Sequence, residues 1–266
     1  MWKILFAVLS VEFIYFNVCQ SQSLTKDIKK CHFGDTTCLI KTINDIIQKY
    51  PRGIPALGMK PINVVDINNT ELLNQADIGG IKFEFKMYDQ VNYGFENTTI
   101  TNLIGFGKDP TTEYMEIHGN IPSLIHKGKY LANGQILLLR LNATGESTSD
   151  FQNFHFVLKL KVQMEYRNNK RYLKIYELVP RVSLDRWIIW LEDFFPENSD
   201  LTTAVNKVIN SNWVEFWNEV EPAILNVFTD VFTHLVGDIF QKTPYDDLFL
   251  ADDDDSEEHT EIPIKS

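Results

Sequence analysis

The chain is poor in the motifs that carry chemistry. Its six histidines (His32, His118, His126, His155, His234 and His259) form no H-E-x-x-H pair and no ligand cluster, so no metal site is expected. No serine sits in a G-x-S-x-G elbow. Gly105-Phe-Gly107 lacks the rest of a phosphate-binding loop, and no cofactor is expected. Carboxylates are plentiful, yet nothing selects a catalytic pair, and the chain reads as a non-enzyme. Positive charge is also scarce: 25 Lys and Arg stand against 36 Asp and Glu, a net charge of −11. Nucleic-acid binding needs a basic footprint, so nucleic acid is excluded as a partner. Steady anchoring to an anionic membrane is disfavoured for the same reason. The charge is uneven, because seven of the negatives fall at Asp252, Asp253, Asp254, Asp255, Glu257, Glu258 and Glu261. This 251–266 tail has no apolar pattern and no glycine-containing calcium loop, and is expected to be disordered.

Cysteine is nearly absent, and the three present are informative. Lys3 precedes an apolar run over 4–18, and Cys19 and Ser21 stand three and one residues before a cut ahead of Gln22. That is the pattern of a secretory signal peptide over 1–21, although Glu12 interrupts it. A retained anchor competes with it, but the run is short for a bilayer span. Cleavage removes Cys19 and leaves Cys31 and Cys38, an even pair in an oxidising compartment, so a disulfide is expected there. Free thiols or a metal site are the alternatives. Sequons at Asn68, Asn97 and Asn142 agree with a secreted glycoprotein.

What the chain does have is strong periodicity. Residues 23–50 read as two short helices, one ending near Cys31 and one carrying Leu39, Ile40, Ile43, Ile46 and Ile47, stopped at Tyr50-Pro51. A turn-rich connector follows, and then the period becomes two. Ile81, Phe83, Phe85 and Met87 alternate with polar residues, as do Phe156, Leu158, Leu160, Val162 and Met164. These are strands with one buried face. Weaker strands are expected over 98–104, 112–118, 123–131, 135–142 and 171–184, with a hairpin turn at Arg167-Asn-Asn-Lys170.

The stretch 200–242 carries apolar residues at three-four spacing from Leu201 to Phe240. It reads as one bent helix of about 40 residues, roughly 60 Å long, with a pair of helices broken at Pro222 as the alternative. On a helical wheel the stripe winds from ~20° near Val205 through ~80° near Phe216 to ~200° near Ile239. A winding stripe suits a helix wrapped by a curved sheet. The expected architecture is therefore α+β: an antiparallel sheet rolled around the long C-terminal helix, with short N-terminal helices.

Three features resemble the insect takeout and haemolymph juvenile hormone-binding proteins. They are Cys31-x6-Cys38 after a signal peptide, the segment Ile54-Pro-Ala-Leu-Gly-Met-Lys-Pro61, and a C-terminal set. That set is Asn210-Ser-Asn-Trp213, Glu219-Val-Glu-Pro222 and Pro244-Tyr-Asp-Asp-Leu-Phe249. The resemblance spans the mature chain, 22–250; the acidic tail departs from it. It implies a highly curved antiparallel sheet around a long helix, enclosing an apolar tunnel, as in the tubular lipid-binding proteins. It also implies secreted carriage of juvenile hormone, another terpenoid or a fatty-acid-like lipid, with some members linked to feeding, circadian output or chemosensation. Candidate tunnel-lining residues are Phe83, Phe85, Met87, Leu138, Phe156, Leu158, Leu160, Val205, Ile209, Phe216 and Val220. The protein is expected to act as a monomer, with delivery to a receptor left open. Two other readings stand beside this one: a secreted interaction protein with a filled core, and a lipid-ester hydrolase.

Overall fold

The computed structural model describes residues 27–68, 70–78, 81–136 and 139–251. The expected signal peptide, Leu138 and the acidic tail beyond Ala251 lie outside the described residues, as does the side chain of Phe83. The N-terminal segment holds one described helix, α1 (Thr36–Lys49), where the sequence pattern suggests two. Residues 27–35 are not helical, for a local reason. Cys31 bridges to Phe249, the N–H of Leu250 donates to the Cys31 carbonyl at 3.0 Å, and Gly34 turns at φ +76°. Asp35 then caps α1, its carboxylate accepting from the Cys38 N–H at 3.0 Å. The Cys31–Cys38 disulfide, with Cα atoms 5.8 Å apart, ties the helix start to that extended segment.

Among the described residues eight strands follow: β1 (Val65–Ile67), β2 (Thr70–Ile78), β3 (Ile81–Tyr93), β4 (Thr99–Ile104), β5 (Met115–Ile136), β6 (Leu139–Arg167), β7 (Lys170–Ser183) and β8 (Arg186–Leu191). They form one antiparallel sheet built on the long β5–β6 ribbon. On the free edge of β5 lie β3 and β4; on the free edge of β6 lie β8 and β7; β1 and β2 both border β3. β6 would run about 95 Å if straight, far beyond the span of a chain this size, so the ribbon must coil. Along it Phe154, Phe156, Leu158, Leu160 and Val162 are buried while the residues between them are not. The turn to β7 has Asn168 and Asn169 at φ +51° and +59°, the left-handed pair that a two-residue hairpin requires.

The C-terminal helix is α3 (Trp213–Lys242), preceded by a separate α2 (Ser199–Ser211). The single helix expected over 200–242 is thus divided, at Asn212 and not at Pro222. The Asn212 side chain donates back to the Val208 carbonyl at 2.8 Å, and its backbone leaves helical geometry at φ −117°, ψ 37°. Pro222 sits inside α3 without ending it. α3 packs on β7, on β2 and on β8. Since β2 and β7 are at opposite sides of the sheet, a helix that touches both is wrapped by it. By length and composition α3 could cross a membrane, but here Trp217, Val220, Ile224, Phe228, Phe232 and Phe240 are buried in the core.

α2 is held to β8 by a ladder of side chains. Asn206 Oδ1 accepts from the Leu191 N–H at 2.8 Å, and its Nδ2 donates to the Leu191 carbonyl at 2.9 Å. Asn210 repeats the pair on Ile189 at 2.9 and 2.7 Å. Thr202 serves the N–H and carbonyl of Phe195 in the same way. At Asn206 and Asn210 helical spacing of four thus meets strand spacing of two at Leu191 and Ile189, and the two amides satisfy backbone that a neighbouring strand would otherwise pair, while Phe195 lies beyond the end of β8.

Candidate ligand cavity

A cavity with an almost wholly apolar wall lies at one end of the roll. It has a volume of about 280 Å³, near the lower end for small-molecule sites. Three elements build it. α1 presents Leu39, Ile43, Ile46 and Ile47; the sheet side presents Phe95, Ile100, Ile117, Phe156 and Leu158; the second half of α3 presents Phe232, Leu235, Val236, Ile239 and Phe240. The connector adds Leu57, Met59 and Ile62, and the C-terminal segment adds Tyr245, Leu248 and Phe249.

The few polar atoms in this wall are mostly engaged elsewhere. Thr98 donates to the Phe95 carbonyl at 2.6 Å, Tyr245 donates its hydroxyl to the Gly107 carbonyl at 2.8 Å, and Lys60 pairs with Asp238 at 2.9 Å. Burial pushes the Tyr245 phenol above its ordinary value, so it stays neutral. The wall therefore offers a ligand hydrocarbon and little else.

Of the segments that carry the family resemblance, the disulfide, 54–61 and 244–249 meet here, while 210–213 and 219–222 lie elsewhere. Gly58, at φ +80°, lies so close to α3 that a Cβ would come within 2.5 Å of the Asp238 carbonyl oxygen. Lys242 and Thr243 donate to the carbonyls of Pro55 and Leu57 at 2.7 and 3.1 Å. The 54–61 segment is thereby latched to the end of α3. Beyond it, Phe249 stacks on Phe33 at 4.2 Å, and Arg171 holds Asp246 through its Nε at 2.9 Å. The C-terminal segment and the disulfide close the same end of the cavity.

The candidate residues from the sequence are dispersed. Phe156 and Leu158 line this cavity. Met87 lines a separate, smaller void. Phe85 stacks on Tyr130 at 5.4 Å, and Leu160, Ile209 and Val220 are buried in the core. Val205 and Phe216 are half-buried against that core. None of these six is in the cavity wall. The isoleucines of α1 and the 235–239 turn of α3 were not among the candidates. The rotation of the apolar stripe near Ile239 was the available clue, because it marks a change of neighbour. Asn68, Asn97 and Asn142 are all exposed, as glycan acceptors must be. Among the described residues no group of His, Cys, Asp and Glu could hold a metal ion.

A sheet rolled around a helix, with an apolar cavity at one end, defines an internal-cavity binding fold. The chain belongs to the haemolymph juvenile hormone binding protein family, whose model matches residues 4–250. It is 23% identical over 235 residues to the circadian clock-controlled protein daywake of Drosophila yakuba, covering 87% of this chain and 90% of that protein. It is likewise 23% identical over 232 residues to daywake of Drosophila melanogaster, covering 86% and 89%. The crystal structure of Epiphyas postvittana Takeout 1 superposes with a TM-score of 0.69 at 18% identity, covering 82% of this chain and 97% of that one. The expected takeout-type fold is thereby established.

Proposed function

We propose that the protein is a secreted, non-enzymatic carrier that takes one small lipophilic ligand, a terpenoid or fatty-acid-like lipid, into the cavity beneath α1. The observation that carries this reading is the wall itself: hydrocarbon from three elements, with its polar atoms mostly satisfied within the protein. Burying about 300 Å² of apolar ligand surface at roughly 25 cal/mol per Å² gives on the order of 7 kcal/mol before ordering costs. Before those costs this sum corresponds to the micromolar range. The family description names juvenile hormone as a ligand of its members, which makes sesquiterpenoids the first class to try. The daywake relatives make clock-linked physiology the first setting to examine. Phe156 and Leu158 are the proposed contacts from β6. Cleavage after Ser21 and glycans at Asn68, Asn97 and Asn142 complete the proposal, with the chain working as a monomer.

The test is native mass spectrometry of the protein secreted from insect cells and purified without detergent, followed by solvent extraction. A stoichiometric lipid, or uptake of lipids by the apo form from an added panel, is the expected result. An apo protein that takes up none of the panel would overturn carriage and leave a secreted interaction protein. The same spectra give the mature N-terminus, the glycan masses and the oligomeric state.

A further inference from the structure

Behind the apolar cavity lies a second, much smaller void of about 40 Å³. Its lining includes Gln90, Asn92, His126 and Ser149, four of the buried polar side chains among the described residues. Buried Thr202 and Asn206 have backbone duties on the α2 ladder, and Thr243 holds the connector. Gln90 is engaged in the same way, its Nε2 donating to the Asn68 carbonyl at 2.6 Å, which leaves Asn92, His126 and Ser149 to be accounted for. His126 Nδ1 is 2.8 Å from Asn92 Oδ1. An amide oxygen can only accept, so Nδ1 carries the proton and Nε2 presents a lone pair. Trp187 also lines the void, and its buried indole N–H has no hydrogen-bond partner among the described residues. A buried donor left unmade is costly, and native structures rarely keep one without a reason.

The partition between the two cavities is aromatic. Phe232 borders the front cavity and Phe228 the void, one turn apart on α3 with ring centroids 6.1 Å apart. Phe156 lies 5.0 Å from Phe232, and Phe154 lies 4.8 Å from Phe228. Two layers of buried rings, Phe232 with Phe156 in front and Phe228 with Phe154 behind, therefore separate the cavities, and a ligand that enters both must turn them aside.

We propose that the void is a polar subsite seating the hydroxyl of a lipid alcohol whose hydrocarbon body fills the front cavity. This rests on the carrier reading above and narrows it to a neutral, oxygen-bearing ligand. A hydroxyl both accepts and donates, matching the Trp187 N–H and the His126 lone pair. A plain alkane leaves both unused. A carboxylate finds no cation in the lining, and burial keeps His126 neutral, its pKa pulled from 6.5 to about 4.

The experiment is displacement of the fluorescent probe 1-N-phenylnaphthylamine by tetradecan-1-ol, tetradecane and tetradecanoate. It uses the full mature protein and three variants. Trp187→Phe removes the donor, and Ser149→Leu fills the void. Trp217→Phe removes an equal ring volume 6.0 Å from Trp187 but outside the void, and controls for lost bulk. The expected result is that the alcohol binds the native protein at least as tightly as the alkane and more tightly than the carboxylate. Trp187→Phe and Ser149→Leu should each weaken the alcohol about tenfold while the alkane changes less than twofold, with Trp217→Phe leaving the ratio intact. Alcohol binding unmoved by both variants, or alcohol and alkane weakened alike, would overturn the subsite and leave carriage standing. If neither the probe nor any of the three lipids binds the native protein, carriage itself falls.

Discussion

Asn206 is the residue whose loss should reveal how the sheet ends. It is 1% exposed and gives both its oxygen and its amide nitrogen to the backbone of Leu191, with a further bond to the Thr202 carbonyl at 3.0 Å. Asn206→Leu keeps the volume and removes all three. The Leu191 N–H and carbonyl then stay buried without partners, each at about 1–3 kcal/mol. Extra apolar burial offsets about 1 kcal/mol of that. The net loss should be about 1–5 kcal/mol, seen as a lower urea midpoint with an unchanged slope. Asn210→Leu, at a half-buried position making the matching pair on Ile189, should cost less. Hydrogen exchange provides the local readout: the Leu191 amide is protected in the native protein and should lose protection in Asn206→Leu. A loss under about 1 kcal/mol, or a Leu191 amide that stays protected, would show that the ladder does not close this edge.

The other predictions concern the interior and the cavity mouth. His126 is buried and its pKa falls from 6.5 to about 4; the native state therefore binds fewer protons than the unfolded chain between those values. Its contribution is complete above pH 6.5 and is lost as pH drops to 4, about 3 kcal/mol in all. The stability difference between native protein and His126→Gln should shrink by that amount from pH 7 to 4, and a constant difference would refute it. Gly119 lies opposite Phe156, and a Cβ there would sit 2.4 Å from Phe156 Cζ. Gly119→Ala should cost about 1–3 kcal/mol by overpacking and weaken lipid binding as the ring is displaced; unchanged affinity in the probe assay would count against the ring's place in the wall. Cys31→Ser opens a short loop worth about 2–3 kcal/mol. Because Cys31 also lines the cavity, ligand off-rate should rise more than helix content falls; an unchanged off-rate by stopped flow would remove the disulfide from the gate.

Much of the sheet was legible because burial alternates along it. Phe156 to Val162 showed their face directly, and Asn168-Asn169 announced the hairpin. The length of β5 was hidden because Gly119, Pro122 and Gly128 read as interruptions. In the structure Gly119 is not a break but the place where the Phe156 ring crosses β5. β8 was missed because its exposed Ile188 and Trp190 hide the alternation. The division at Asn212 left no trace in the periodicity, since α2 and α3 are each amphipathic up to it. The polar ladder of Thr202, Asn206 and Asn210 was equally opaque: on a helical wheel it is indistinguishable from a solvated face, and only its strand partners give it meaning.

The position of the cavity follows from what the two halves of α3 bring to the same roll. From Trp217 to Phe228 the helix meets Phe151, Phe154 and Trp187, and aromatic rings fill the interior with contacts of 4.8 to 6.4 Å. From Leu235 to Ile239 its inward residues are aliphatic and meet aliphatic residues of α1. Smaller side chains on a helix held at the same distance by the 54–61 latch cannot close the gap, so the space remains. The winding of the apolar stripe has the same origin, since the first half faces the β8 end of the sheet and the second half faces α1. A filled core would need large residues at 43, 46, 235 and 239. This chain places Ile43, Ile46, Leu235 and Ile239 there, and all four line the cavity.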